Sequence, residues 1–185
     1  MRESSPRASI TLVPMGRVPS ELLQWLREEL PKVVREPVTI GRPVALPPDA
    51  FQPLRGQYLG ESILAALRKL PLPAGSQAVA LVEADCYTPG LDFVYGLAAK
   101  GGRVALVALL RLRPSYYGEP ADSEKYAQRV LKEILHELGH TWNLSHCSDM
   151  RCVMHFSSTL EDADSKGVEF CVHCQKRRSH GTERR

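Results

Sequence analysis

The stretch His136-Glu-Leu-Gly-His140-Thr-Trp-Asn-Leu-Ser-His146-Cys147 reads H-E-x-x-H-x-x-N-x-x-H-C. Two imidazoles four residues apart share one face of a helix and can reach a common ion. Glu137 is turned roughly 100° from His136, so it lies beside such an ion without being aimed at it. That is the place for a general base acting on water, whose pKa zinc lowers to about 7. The carboxylate could then pass the proton to a leaving amine. His146 cannot share the helical face if the helix continues, so the chain must turn after His140. Asn143 is placed to make that turn, because Asn tolerates the left-handed conformation found at helix C-termini. The helix should therefore end near Trp142 or Asn143. Gly139 would permit close packing behind the site.

A second set of ligand-type residues follows at once. Cys147, Cys152, Cys171 and Cys174 fall within 28 residues. Cys171-x-x-Cys174 is a zinc half-site, and Cys147-x4-Cys152 is a slightly wide partner for it. Together they make a tetrahedral thiolate site, which is closed and therefore structural. A knot of two disulfides is the competing reading, and the lack of an export-type N-terminus argues against it. Two zinc ions per chain are expected, one catalytic and one structural. Because Cys147 directly follows His146, adjacent residues would hold different ions, and the thiolate site would fix the backbone that presents the third histidine.

The elements that must position these residues are legible from periodicity. Ser9–Pro14 reads as a first strand, and Pro19–Leu30 as a helix with Ser20 as its N-cap. Pro31 and Pro37 bound a second strand, Val38–Ile40 through Val44–Leu46. Leu59–Leu67 reads as a second amphipathic helix. Gln77–Val82, nearly all apolar, suits a strand buried on both faces. Phe93–Ala98 and Arg103–Leu110 flank Lys100-Gly101-Gly102, a hairpin signal. A third helix begins at Asp122 or Ser123, with Tyr126, Val130, Ile134 and Leu138 as one apolar stripe. The order implies a mixed sheet, mostly parallel, with one antiparallel strand. A final helix is expected from about Glu169 into Arg178.

Bulk properties exclude several classes. The 185 residues, 43% hydrophobic and 24% charged, suit one soluble domain with its own core. A net charge of +3 is too small to call for a polyanion. Lys176, Arg177, Arg178, Arg184 and Arg185 therefore read as a solvated helical end and tail, which argues against a nucleic-acid partner. No apolar run approaches the ~20 residues of a membrane span. The N-terminus lacks the apolar core of a secretory signal, so the cytoplasm is the expected compartment.

H-E-x-x-H-x-x-G-x-x-H with a downstream Met-turn is the metzincin signature. The cysteine after the third histidine, then Cys152-Val-Met154 and Cys171-Val-His-Cys174, make the chain resemble the archaemetzincin family. Asp85-Cys-Tyr-Thr-Pro-Gly-Leu-Asp-Phe-Val-Tyr-Gly96 is similar to that family's segment before the edge strand. The resemblance follows the whole chain in its order of elements, and its specific part is residues 136–174. It implies an α+β fold with an α/β-like N-terminal part: a metzincin-like, twisted, mixed five-stranded sheet over an active-site helix. One compact domain would divide into an N-terminal subdomain, 1–143, and a C-terminal subdomain, 144–185, holding the Met-turn and the four cysteines. Residues 93–98 would be an antiparallel edge strand where an extended peptide or protein substrate binds by strand addition. Met154 would be the Met-turn, an apolar floor beneath the zinc. Asn143 stands where the family has glycine. Cys86 fits no metal pattern and reads as a buried or loop thiol, the alternative being an inhibitory ligand of the catalytic zinc. The activity implied is that of a zinc metallopeptidase with Glu137 as base. A non-enzymatic zinc module on a peptidase scaffold, or a hydrolase of a non-peptide amide, are the alternatives.

Overall fold

The structure, a computed structural model, describes residues 8–182, with side chains through Arg178. The residues Arg184 and Arg185 of the basic tail lie outside the described residues. Strand β1 (Ile10–Met15) leads into helix α1 (Ser20–Val34) and strand β2 (Val38–Ile40). Two short strands, β3 (Phe51–Gln52) and β4 (Gln57–Leu59), precede helix α2 (Gly60–Arg68). Strand β5 (Gln77–Val82), the two-residue β6 (Cys86–Tyr87), β7 (Gly96–Ala98) and β8 (Val104–Ala108) follow. The chain closes with helices α3 (Ser123–Thr141), α4 (Leu160–Ser165) and α5 (Val172–Thr182).

The main sheet has the order β2-β1-β5-β8-β7. Its pairs are parallel except β7–β8, which is antiparallel. This is the mixed sheet, mostly parallel with one antiparallel strand, expected from the order of elements. Side chains alternate between its faces. Ile10, Leu12, Val79, Leu81, Ala105 and Val107 join one core cluster with α1 and α3. Val13, Met15, Ala80, Val82, Leu106 and Ala108 join the other with α2. Burial on both faces explains why β5 and β8 carry almost no polar residue.

Local departures from the expected elements have physical causes. Pro31 lies inside α1 and does not end it. Leu30 and Val34 on either side of it are fully buried, and that packing offsets the amide hydrogen bond that proline removes. The turn is closed instead by Arg35 at φ 68°, whose N–H donates to the Pro31 carbonyl. Pro19 occupies the N-cap of α1, with no side-chain cap, so Ser20 is the first helical residue. The second strand is only Val38–Ile40, and Val44 makes an isolated bridge to Met15. A three-stranded sheet, β3-β4-β6, was not expected. Asp122 caps α3, its carboxylate accepting from the Lys125 N–H.

The segments after α3 are tied back to it by buried charge. Arg129 donates to both carboxylate oxygens of Asp164 at 2.7 and 2.6 Å and to the Leu112 carbonyl at 3.1 Å. Lys132 donates to the Ala163 and Asp164 carbonyls. Helix α4 starts in a capping box between Thr159 and Asp162. Arg178, expected to be solvated, instead pairs with Glu36 at 2.5 Å, donates to the Val34 carbonyl, and lies 3.8 Å above the Trp142 ring. It latches α5 to the end of α1. Among the described residues no helix is long and apolar enough to cross a membrane.

Candidate metal centres and active-site cleft

Helix α3 ends as its sequence requires. The Leu144 N–H donates to the Gly139 carbonyl and the Asn143 N–H to that of His140, both at 2.9 Å, with Asn143 at φ 65°. This is the paired-bond stop in which a left-handed residue reverses the chain. His146 then faces His136 and His140 with ring centroids 5.2 and 5.0 Å away.

The tautomers of the two helical imidazoles follow from their partners. His136 Nδ1 contacts the Val153 carbonyl and His140 Nδ1 the Leu144 carbonyl, each at 2.9 Å. A carbonyl only accepts, so both Nδ1 atoms carry the proton and both Nε2 atoms present lone pairs. Those two Nε2 atoms are 3.1 Å apart. Two acceptors at that separation repel unless a cation lies between them. A tetrahedral zinc with Zn–N of about 2.0 Å would set them about 3.3 Å apart. One ligand nitrogen from each of His136, His140 and His146 falls within a 4.8 Å group. Burial, aided by the Lys166 charge, pushes His136 down to about 2, and burial also lowers His140 and His146. All three are thus kept neutral, as ligation demands.

The cysteines form the second group. Cys147, Cys152, Cys171 and Cys174 likewise place their sulfurs within 4.8 Å of one another. Cys147 Sγ is 3.7 Å from Cys171 Sγ, and Cys152 Sγ is 3.8 Å from Cys174 Sγ. Zn–S bonds of about 2.3 Å in a tetrahedron give about 3.8 Å. The spacing is far beyond a disulfide bond and all four thiols are free. The Cys147 N–H donates to the Met154 carbonyl, and His155 Nδ1 to that of Cys147. The backbone between the two groups is therefore held from both sides. Cys86 joins neither group. It is buried in the core on the α2 side, where burial, and then the Asp85 charge, raise its thiol to about 12. The alternative of Cys86 as a ligand to the histidine-bound ion is not met.

A cleft of about 540 Å³ opens over the histidines. One wall is Phe93 to Ala98, including β7; the opposite side is Phe156, Ser157 and Ser158. Phe156 packs on His146 at 4.9 Å between centroids. A separate cleft of about 670 Å³ between α1 and α3 holds none of the ligand-type groups. Glu137 is 4% exposed, and its Oε2 is buried without a hydrogen-bond partner. Met154 is fully buried against Gly139. A Cβ on Gly139 would fall 2.1 Å from Met154 Sδ, so the glycine is what lets Met154 lie against the helix.

Two residues of the cleft were missed by sequence reasoning. Glu133 and Lys166 line it beside Glu137, and both are buried. Glu133 carried a signal, being a carboxylate one turn from Glu137 in a helix whose other inward residues are mostly apolar. Lys166 carried none. Burial raises both carboxylic acids and lowers the lysine, and the Glu133 charge raises Glu137 further.

Comparison with known proteins agrees with this geometry. Residues 36–179 match peptidase family M54. The chain is 37% identical over 177 residues to the archaemetzincin of Pyrococcus furiosus, covering 92% of each chain. The crystal structure of the archaemetzincin from Methanopyrus kandleri is similar with a TM-score of 0.84 and 35% identity, over 97% of this chain and 99% of that one. A zinc-dependent peptidase from Methanocorpusculum labreanum has the same TM-score at 30% identity, over 92% of this chain and all of that one. The chain belongs to peptidase family M54, the archaemetzincins, and is a zinc metallopeptidase.

Proposed function

We propose that the chain hydrolyses peptide bonds at His136, His140 and His146, with Glu137 as general base. The observation that carries this reading is the pair of facing Nε2 lone pairs 3.1 Å apart, beside a buried carboxylate oxygen that has no donor. Zinc bound by the three imidazoles supplies Lewis acidity, lowering the pKa of water to about 7 and polarising a carbonyl. The Glu137 carboxylate takes the water's proton and delivers it to the leaving amine nitrogen. The Val153 and Leu144 carbonyls hold the two helical imidazoles in the ligating tautomer. Met154 supplies the apolar floor, the role of a Met-turn.

The substrate is an extended peptide laid along residues 93–98. Tyr95 and Ala99 direct their hydrogen bonds to β8, so the alternate residues Gly96 and Ala98 offer theirs to the cleft. A second zinc, held by the four cysteines, is structural, and those thiolates suit the reducing cytoplasm.

The test is zinc content and peptide cleavage together. Wild-type protein should carry two zinc ions per chain and cleave labelled casein. Glu137→Ala should keep both ions and lose cleavage by at least about 100-fold. Cleavage that survives this change would refute Glu137 as base. Two ions without cleavage of any peptide would favour a binding module or a non-peptide amide as substrate.

A further inference from the structure

Besides the histidines, the charged side chains that line the cleft are Asp92, Lys100, Glu133, Glu137 and Lys166. Glu133, Glu137 and Lys166 are buried, whereas Asp92 and Lys100 are exposed. The two exposed charges bracket the wall formed by residues 93–98, a carboxylate before it and an ammonium after it. Gly96, within that wall, lies against the general base: a Cβ there would meet Glu137 Cγ at 2.6 Å and Oε1 at 2.7 Å. The turn that carries Lys100 is fastened to the end of α3. The Gly101 N–H donates to the His140 carbonyl at 2.9 Å, and the Gly102 N–H to that of Ala99 at 2.7 Å. Gly101 takes φ 65°, and a Cβ on it would lie 3.7 Å from Asn143 Oδ1. Lys100 Nζ donates to Ser145 Oγ at 3.0 Å, which sets the ammonium beside the residue before His146. Both ends of this side chain are thus held, the backbone by α3 and the amine by the chain between His140 and His146. A lysine that served only to keep a hairpin turn soluble would extend into water. The serine hydroxyl is a neutral partner and takes one of three ammonium protons. Among the described residues no carboxylate pairs with Lys100.

Resting on the reading of residues 93–98 as the wall along which a peptide lies, we propose that Lys100 sets substrate preference by binding an aspartate or glutamate side chain of that peptide. The ammonium offers its remaining protons to the carboxylate, and Ser145 keeps it at the cleft. Extended chain covers about 3.3 Å per residue, so Lys100 lies at most about 13 Å beyond Gly96. The acidic residue therefore falls within about four positions of the bond that is cut. At the opposite end of the wall Asp92 repels the same residue, so the cleft distinguishes its two ends by charge.

Zinc-replete wild-type, Lys100→Ala and Lys100→Glu proteins would be given a peptide library with acetylated and amidated ends, and the products read by mass spectrometry. Wild-type products should be enriched in Asp and Glu at one position within about four residues of the cut. Matched peptides with Glu or Lys at that position then give a preference ratio in kcat/KM for each protein. Wild type should favour Glu about tenfold, Lys100→Ala should bring the ratio within about threefold of unity, and Lys100→Glu should reverse it. Raised ionic strength should shrink the wild-type ratio. The ratio is taken within one protein, so lost zinc or partial unfolding cancels from it. Two results would each overturn the assignment: no acidic enrichment in wild-type products, or a preference for Glu that survives in Lys100→Glu. Failure of the peptidase reading has a different signature, a library left uncut by wild-type protein. Fluorescence anisotropy of the labelled Glu and Lys peptides then decides on Lys100. A preference for Glu that reverses in Lys100→Glu keeps the assignment, and equal or undetectable binding of the two peptides overturns it.

Discussion

Gly139→Ala probes the contact between the active-site helix and the floor beneath it. The new Cβ would lie 2.1 Å from Met154 Sδ, 3.0 Å from Met154 Cε and 3.2 Å from Phe170 Cε1. Ordinary contact begins at 3.4 Å, so the sulfur must retreat by more than 1 Å. It has nowhere open to go, since Met154 and Phe170 are both buried. Overpacking of this kind costs about 1–3 kcal/mol. The gain in helix propensity from glycine to alanine returns about 1 kcal/mol. The balance is a loss of up to about 2 kcal/mol, or a Tm lower by up to about 8 °C for a chain of this size. Thermal unfolding of the zinc-replete protein measures it. Adding Met154→Ala to Gly139→Ala should recover part of the loss, a coupling of at least about 0.5 kcal/mol. A Tm that rises on Gly139→Ala, as at an open helical position, would refute the packing argument.

Other perturbations test neighbouring parts of the site. Asn143→Gly should leave stability within about 0.5 kcal/mol, whereas Asn143→Val should cost about 1–2 kcal/mol because a branched side chain opposes the left-handed φ of 65°; urea unfolding separates them. Cys171→Ser should empty the thiolate site and also lower occupancy of the histidine site, since Cys147 adjoins His146; elemental analysis combined with the visible spectrum of the cobalt-substituted protein resolves the two, and an unchanged histidine site would remove the coupling. In metal-free protein His136 stays neutral to about pH 2 when folded but takes up a proton near pH 6.5 when unfolded. Its contribution to stability is therefore complete above pH 6.5 and declines as pH falls through the window below. The Tm of the chelated protein should drop between pH 7 and 5, and His136→Phe should flatten that slope.

Sequence patterns reached the elements whose period is strong and stopped where contact is made through space. β5 and β8 were legible because they are buried on both faces, and α3 because its apolar stripe is long. His136, His140, His146 and the four cysteines were legible because ligand spacing is local to a few turns of chain. The turn at Asn143 followed from the need to bring His146 round. The β3-β4-β6 sheet escaped because its strands have two or three residues and little burial pattern. The Thr159–Asp162 cap of α4 did carry a signal, a threonine followed three residues later by an acidic residue. Arg178 read as one of several tail charges, and its partner Glu36 lies 142 residues away. Lys166 and Gly96 are known only from what α3 presents to them, which no spacing encodes.

Both edges of the main sheet are short. β2 and β7 each span three residues, and β7 is Gly96-Leu97-Ala98. An open edge suited to one extended peptide is equally a template for a second copy of the same chain. Keeping β7 to three residues, ended by the turn at Lys100-Gly101-Gly102, limits how many hydrogen bonds a stray strand can collect there. The restraint that protects the protein from fibrous self-pairing would also keep any one peptide from being held tightly by backbone contacts alone.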